Sequence, residues 1–173
     1  DQQIREMQSE RSELERELYL QALHKTASMS LIQYEVSNFA KADFQSRSNL
    51  KVWDGQPYLG LGCGAHSFDG VNRWGNVRSM RKYMESVERE EPPRDFMETP
   101  TRLQQASERL MLSLRRPEGL NILSWQEEFQ IGLSLEQKNQ MEKLKDQDLV
   151  SWEQPILKLT TEGMLLADAI TAE

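Results

Sequence analysis

The sequence predicts a mixed α/β segment followed by a mainly helical, winged-helix-like segment. Residues 2–25 contain no glycine or proline and have a helical apolar period, which predicts a long amphipathic helix. Alternating residues at 30–39 and a short run at 58–62 predict two strands. After residue 99 the order is three predicted helices, a hairpin and a short helix. This last order is typical of a winged helix.

The composition disfavours nucleic-acid-binding, membrane-spanning and secreted proteins. The chain has 173 residues, of which 38% are hydrophobic and 28% charged, with a formal net charge of −7 at pH 7. This length suits one ordinary domain or two small ones, and the acidic balance disfavours a nucleic-acid partner. No apolar run approaches the ~20 residues of a membrane span, and we expect no secretory leader. A lone cysteine fits a reducing compartment, so a cytoplasmic location is predicted.

The first half is predicted to bury one face of each element. The predicted strand at 30–39 packs its apolar residues and carries Glu35 and Ser37 on a polar face. Residues 40–56 and 72–75 are expected to be loops, and Asn76 is predicted to cap a helix to about Glu90. The expected apolar positions of the two helices are Ile4, Met7, Leu14 and Leu18, and Val77, Met80, Met84 and Val87.

The second half has clearer signals for where helices begin and end. A helix is predicted to begin at 99–100 and to bury Leu103, Ala106, Leu110, Met111 and Leu114. Two further helices are expected at the capping-box spacings of Ser124 with Glu127 and Ser134 with Gln137, and a hairpin at 149–159. The domain boundary is expected at Glu91–Thr99, which gives domains 1–91 and 92–173. Lys138, Lys143 and Lys145 of one helix are balanced by carboxylates, so a DNA-binding role is disfavoured.

The stretch YLGLGCGAHSFDG at 58–70 is the most distinctive in the chain. Its glycines are spaced G-x-G-x-G, which is not the dinucleotide-binding pattern. Two interpretations stay open for them, a tight turn with no ligand and a backbone that a ligand approaches closely. Cys63 is interpreted as a small buried hydrophobe, while His66 is either structural or a ligand. Glu35 and Ser37 either line a site or face water.

Seven segments in order carry a family resemblance. They are YEVSNFA at 34–40, SRSNLKVW at 46–53, PYLGLGCGAHS at 57–67 and RWGNV at 73–77, followed by MLSLRRPEGL at 111–120, LKDQDLV at 144–150 and LKLTTEGMLLADAI at 157–170. Together they resemble the oxygen-independent coproporphyrinogen III oxidase-like radical SAM family, nearest to its heme chaperones. The resemblance implies the C-terminal part of a partial (β/α)6 radical SAM barrel and a small winged-helix-like domain.

The resemblance also implies a function and a site. The function is heme or porphyrin handling, with transfer of heme to an unknown acceptor. The alternatives are an oxygen-independent coproporphyrinogen III oxidase and a non-catalytic interaction module that has lost the cofactor site. We expect no catalytic residue in this chain. The cofactor-binding residues are predicted to be Gly60, Gly62, Gly64, Ala65, His66, Glu35, Ser37, Asn49 and Trp53.

Two departures from the family pattern qualify these expectations. The family holds a [4Fe–4S] cluster and S-adenosyl-L-methionine through C-x-x-x-C-x-x-C, whereas this chain has one cysteine, so it should generate no radical alone. The heme-associated H-N-x-x-Y-W pattern is present here with Ser48 and Val52 in place of histidine and tyrosine. Serine does not replace imidazole as an iron ligand, which leaves His66 as the heme-iron candidate. Open strand edges predict an oligomer. A weak membrane association of the parent is left open.

Overall fold

The protein has a mixed α/β fold of eight helices and eight short strands within the described residues. The computed structural model describes residues 2–172, with side chains from 13 to 171. The helices are α1 (Gln2–Ser28), α2 (Arg47–Trp53), α3 (Met80–Glu88), α4 (Arg102–Leu114), α5 (Ile122–Phe129), α6 (Leu135–Asp146), α7 (Thr161–Leu165) and α8 (Ala167–Ala172). The strands are β1 (Ile32–Glu35), β2 (Asn38–Ala40), β3 (His66–Phe68), β4 (Arg73–Asn76), β5 (Arg94–Glu98), β6 (Leu120–Asn121), β7 (Val150–Glu153) and β8 (Ile156–Leu159).

The long first helix is confirmed, but its predicted apolar stripe does not form a core. Leu14 and Leu18 are 55% and 54% exposed, and the side chains of Ile4 and Met7 lie outside the described residues. Polar contacts hold α1 instead. The Tyr19 hydroxyl bonds the Gln33 side chain of β1 at 3.1 Å, and Arg16 pairs with Glu162 of α7.

The predicted strand at 30–39 is a tight hairpin of two strands. β1 and β2 pair antiparallel, with Ile32 opposite Ala40 and an irregularity between Gln33 and Glu35. This irregularity breaks the simple alternation of faces, so Ile32 is 67% exposed whereas Tyr34 and Glu35 are both buried. The predicted alternation is therefore wrong at these positions.

A three-stranded antiparallel sheet in the order β3–β4–β5 follows. The prediction of a strand at 58–62 is wrong, since only Tyr58 of this segment forms a β-bridge, which pairs it with Phe68. Residues 72–75, predicted to be irregular, lie largely in β4, and part of the expected linker forms β5. Local composition does not reveal either strand because each is short and polar, and each is stabilised by its neighbour in the sheet.

Two helices in this region also differ from the expectation. The predicted loop at 40–56 contains α2, which Ser46 caps by accepting from the Asn49 amide. The helix predicted to begin at Asn76 begins after Ser79, because Asn76 ends β4. Its expected core residues face outward: Met80 is 64% exposed, and Met84 and Val87 are each 47% exposed.

The second half agrees more closely with the prediction. The α4 helix, the Ser134–Gln137 capping box of α6 and the β7–β8 hairpin are confirmed. Ala106 and Leu114 are buried as expected, whereas Leu103 is 64% exposed. Two details are wrong. The α5 helix begins at Ile122 rather than at Ser124, and β6 adds a third strand to the expected two-stranded wing.

The chain forms two compact units that are discontinuous in sequence. The first comprises residues 1–45, 114–122 and 133–173, and the second comprises 46–113 and 123–132. Most of the buried apolar side chains belong to the first unit, including Leu157, Leu120 and Val150. The predicted division into domains 1–91 and 92–173 stays a prediction. Among the described residues, no helix is both long and apolar enough to cross a membrane.

Candidate functional site

The glycine-rich segment is a loop that returns the chain from Tyr58 to β3. Tyr58 and Phe68 exchange both backbone hydrogen bonds, at 2.8 and 2.9 Å, so the ends of the loop are held together. Inside it, the amides of three glycines donate to groups of this chain. Gly60 donates to the Ser67 hydroxyl at 2.9 Å, Gly62 to the Tyr83 hydroxyl at 3.1 Å and Gly64 to the Val77 carbonyl at 3.0 Å. These amides are therefore engaged within the protein.

The three glycines are required for different reasons. A Cβ on Gly60 would overlap the carbonyl oxygen of His66 and lie 3.0 Å from the Ala65 side chain. Gly62 has φ +101° and no atom within 4 Å of the place a Cβ would occupy, and Gly64 has φ +70°. Close approach of the backbone explains Gly60, whereas positive φ explains the other two.

Asn76 connects β4 to this loop. Its side-chain amide donates to the Gly62 carbonyl at 2.9 Å and more weakly to the Gly60 carbonyl at 3.5 Å. Its backbone amide donates to the Ala65 carbonyl at 2.8 Å. Asn76 is only 8% exposed. A buried amide with this many partners fixes the loop against the sheet.

His66 presents an exposed imidazole beside an aromatic ring. Across the sheet, His66 pairs with Gly75 and Gly75 pairs with Phe96. The His66 and Phe96 rings meet edge to face, with centroids 5.5 Å apart and an interplanar angle of 61°. The Phe96 ring lies over Gly75, where a Cβ would overlap one ring carbon and lie 3.1 Å from two others. Gly75 thus allows Phe96 to reach His66.

Exposed apolar side chains occur beside these rings and in the loop that leads to them. His66 is exposed, Phe96 is 41% exposed, and Leu59 and Leu61 of the loop are 69% and 81% exposed. The Arg94 guanidinium lies 4.9 Å from the centroid of the Trp74 ring. Trp74 precedes Gly75 in β4, so this pair lies on the opposite face of the sheet from His66 and Phe96. The exposed aromatic and imidazole rings on the first face suit a flat, apolar ligand.

Arg73 anchors the other end of the same sheet. It bonds Glu108 of α4 at 2.6 Å and Glu98 of β5 at 3.0 Å. The hydrogen bond to Glu108 is the largest cause of the raised pKa of Arg73, and Glu98 adds to it. Because both carboxylates neutralise it, we assign Arg73 a structural role.

Glu35 and Ser37 belong to the other compact unit. Glu35 is 1% exposed and its carboxylate accepts from the Ser37 amide at 3.0 Å and from the Asn38 side chain. Ser37 lies in the exposed turn between β1 and β2 rather than on a strand. Glu35 therefore closes its own turn, and its predicted place beside the glycine loop stays a prediction.

Asn49 and Trp53 lie one turn apart on α2, so both face the same side of that helix. Both are half-buried, and Ser48, at the position of the family's histidine, is exposed. The α2 helix belongs to the same compact unit as the glycine loop. Their role in cofactor binding stays a prediction.

The donor set does not fit an iron–sulfur cluster. Cys63 is half-buried and is the sole cysteine of the sequence. Among the described residues, no three His, Cys, Asp or Glu side chains group so as to hold a metal ion. A [4Fe–4S] cluster needs several thiolates, so its ligands would have to come from outside this chain.

Sequence reasoning does not find three residues of this region, namely Asn76, Tyr83 and Phe96. The local sequence predicts a helix cap at Asn76 and singles out neither of the other two. No local spacing could reveal them, since 21 residues separate Gly62 from Tyr83 and the Phe96 contact depends on the pairing of β4 with β5. Only the sheet brings them together.

Comparison with known proteins finds relatives that share one name, heme chaperone HemW. The chain is 31% identical over 159 residues to the heme chaperone HemW of Bacillus subtilis, covering 91% of this chain and 42% of that protein. It is 31% identical over 137 residues to HemW of Mycobacterium tuberculosis, covering 79% of this chain and 33% of that protein. The chain thus spans less than half the length of these relatives. No protein-family model matches it.

A solved structure agrees in fold. The coproporphyrinogen III oxidase HemN of Escherichia coli, described as a radical SAM enzyme, superposes with a TM-score of 0.69. The match covers 88% of this chain and 39% of that chain at 16% sequence identity. At this identity the likeness concerns the fold alone.

Proposed function

We propose that this chain binds heme for transfer to an acceptor protein. The chain is related in sequence to the HemW heme chaperones and in fold to HemN. It corresponds to the C-terminal part of the oxygen-independent coproporphyrinogen III oxidase-like radical SAM family. Heme is the cargo in this proposal. The relatives' names support it, and so does the exposed surface around His66.

The observation that carries the proposal is the exposed imidazole of His66 beside Phe96. An axial ligand must present a ring nitrogen to an approaching iron, and a porphyrin needs apolar surface around that ligand. Phe96 contacts the imidazole, and in this proposal the exposed Leu59 and Leu61 of the same compact unit extend the apolar surface. Ser48 supplies no imidazole, so His66 takes the ligand role in our proposal.

We further propose a separate role for each group of the predicted cofactor-binding residues. Because the amides of Gly60, Gly62 and Gly64 donate internally, these glycines would shape the loop under a ligand rather than bind it through hydrogen bonds. Ala65 precedes His66 in the same loop. Asn49 and Trp53 would line the ligand from α2, which belongs to the same compact unit as the loop. A role for Glu35 and Ser37 stays a prediction, since the Glu35 carboxylate is bonded within its own turn.

S-adenosyl-L-methionine and a [4Fe–4S] cluster would supply radical chemistry in such a parent. This chain offers one cysteine, so we expect no radical chemistry from it alone. We also propose that the fold corresponds to the end of a partial (β/α)6 barrel followed by a winged-helix-like domain. The likeness in fold to HemN supports the first part, and the order of elements after α4 supports the second. The cytoplasmic location and the absence of a nucleic-acid partner stay predictions.

Titration of the chain with ferric heme, followed by absorbance, tests the proposal. The wild-type chain should shift the Soret band, and His66→Ala should lose that shift because the axial nitrogen is removed. His24→Ala is the matched control, since His24 is the other histidine, is exposed and lies on α1. Equal binding by wild type and His66→Ala would overturn the assignment of the ligand.

The titration also decides the competing function. A non-catalytic interaction module that has lost the cofactor site is favoured by Ser48 in place of the family's histidine. That module predicts no Soret shift in any variant. The absence of a shift in the wild-type chain would therefore reject heme binding by this chain.

A further inference from the structure

The region around the glycine loop has little apolar core of its own. Among residues 46–100, the buried positions are Ser67, Gly75, Asn76 and Pro100. Two of these four carry polar side chains, and both bond the loop: Ser67 through the Gly60 amide and Asn76 through the Gly62 carbonyl. Hydrogen bonds, rather than apolar packing, therefore hold the loop in place.

Gly62 is held on both of its peptide groups. Its amide donates to the Tyr83 hydroxyl of α3 at 3.1 Å, and its carbonyl accepts from Asn76 of β4 at 2.9 Å. Apart from its chain neighbours, no atom lies within 4 Å of the position a Cβ would take, so packing there is loose. Glycine adopts positive and negative φ about equally, so the φ of +101° is fixed by these two contacts and by a longer hydrogen bond, 3.4 Å, from the Ala65 amide to the Gly62 carbonyl.

The loop leads directly into His66. Asn76 also donates its backbone amide to the Ala65 carbonyl, one residue before His66, and Gly60 packs against the His66 carbonyl. A displacement of Gly62 would thus pass through Ala65 to the start of β3. The direction of the His66 imidazole toward Phe96 depends on that start.

We infer that Asn76 and Tyr83 are positioning residues that orient His66. They hold the loop from β4 and from α3, and neither side-chain contact is needed for the pairing of β3 with β4. The importance of this orientation for heme rests on the proposed function. The orientation itself does not.

Two variants remove the contacts with little change of shape. Asn76→Asp places a carboxylate oxygen against the carbonyls of Gly62 and Gly60, which replaces attraction by repulsion. Tyr83→Phe removes the acceptor of the Gly62 amide. Each has a matched control with the same chemical change: Asn139→Asp on the exposed face of α6, and Tyr58→Phe, whose ring is half-buried at the start of the loop.

The first measurement needs no heme. In the wild-type chain, the nearby Phe96 ring should displace the His66 ring-proton NMR signals by its ring current, given the 5.5 Å edge-to-face geometry. Asn76→Asp and Tyr83→Phe should reduce that displacement and speed hydrogen exchange at the Gly62 amide. Both controls should keep the wild-type values. Unchanged His66 signals in both test variants, with normal circular dichroism, would overturn the inference.

The second measurement is titration with ferric heme. Loss of one positioning hydrogen bond should weaken binding roughly threefold to tenfold and convert part of the bound heme from low spin to high spin. Wild-type affinity and spin state in both variants would overturn the positioning of a heme ligand. If the wild-type chain binds no heme while the NMR effects are present, the proposed function fails and the orientation of His66 by Asn76 and Tyr83 stands.

Thermal unfolding separates positioning from general stability. A residue with only a structural role would lower the melting temperature without a selective change at His66. The inference requires the His66 signals to change at temperatures well below the unfolding transition. If they change only as the chain unfolds, the inference is overturned.

Discussion

At the scale of single residues, the glycines of the loop differ in what a methyl group would meet. Gly60 faces the His66 carbonyl and the Ala65 side chain, whereas Gly62 faces open space at φ +101°. The first substitution meets a steric barrier from backbone atoms, which cannot move aside like a flexible side chain. The second meets only the backbone preference of an L-residue.

Alanine substitutions at Gly60 and Gly62 should therefore lower the free energy of unfolding by different amounts. Gly60→Ala is expected to lower the free energy of unfolding by about 3 kcal/mol because it overpacks the turn, and Gly62→Ala by about 1–2 kcal/mol because of its φ. Gly132→Ala is the control, since its site is open and its φ lies outside the left-handed region; its effect should stay within about 1 kcal/mol. Urea unfolding measures all three. Equal losses for Gly60→Ala and Gly62→Ala would contradict the ranking.

At the scale of elements, polar turn contacts define the hairpin of β3 and β4. The Asp69 carboxylate accepts from the amides of Val71 and Asn72, at 2.8 and 2.6 Å, and from the Asn72 side chain. The Asn72 amide is the largest cause of the lowered pKa of Asp69, and the Val71 amide is the next. Since the ordinary value is 3.8, the folded chain keeps this carboxylate ionised to lower pH than the unfolded chain does.

This shift predicts how stability changes with pH. A lowered folded pKa contributes stability that is complete above about pH 4 and is lost as the pH falls through the folded value. Asp69→Asn should lower the free energy of unfolding at pH 7 and flatten its decline below about pH 4. Glu162, whose pKa is lowered by Arg16, should retain its own part of that decline. An unchanged acid slope in Asp69→Asn would contradict the role given to this turn.

The α3 helix shows why pattern alone misassigns a face. Its apolar residues have the correct helical period, yet Met80, Met84 and Val87 are exposed. A helical period predicts which residues share a face, but not whether another element covers that face. Tyr83, three residues after Met80 and four before Val87, shares this face, and its hydroxyl makes the contact with the loop.

At the scale of the whole molecule, the two compact units do not follow a single cut in the sequence. The second unit takes residues 123–132 from within the C-terminal half. In addition, β4 and β5 pair on opposite sides of residue 91, with Trp74 opposite Met97. A cut at the predicted boundary would therefore separate strands of one sheet.

Expression of residues 1–91 and 92–173 as separate chains tests the predicted division. Residues 1–91 lack β5, so β4 loses one neighbour and the Phe96 contact to His66 is lost. We expect the two halves to melt without a cooperative transition, while the intact chain melts cooperatively. Calorimetry on the intact chain and on each half measures this. Cooperative melting of both halves would support domains 1–91 and 92–173 instead.

The sequence by itself determined the family resemblance, the long first helix, α4, the capped α6 and the β7–β8 hairpin. These elements depend on caps, periods and turns that lie within a few residues of one another. It also identified the glycine loop and His66 as the most distinctive stretch, because unusual residues are visible without any contacts.

Only the tertiary structure decided the conformation of that stretch and the residues that contact it. The short strands β4 and β5, the engaged glycine amides, and the approach of Asn76, Tyr83 and Phe96 to the loop all depend on partners 7 to 30 residues away. Such contacts leave no local period in the sequence, since a hydrogen bond across a sheet is specified by register rather than by spacing. The physical reason for the limit is therefore the non-local pairing that forms this part of the molecule.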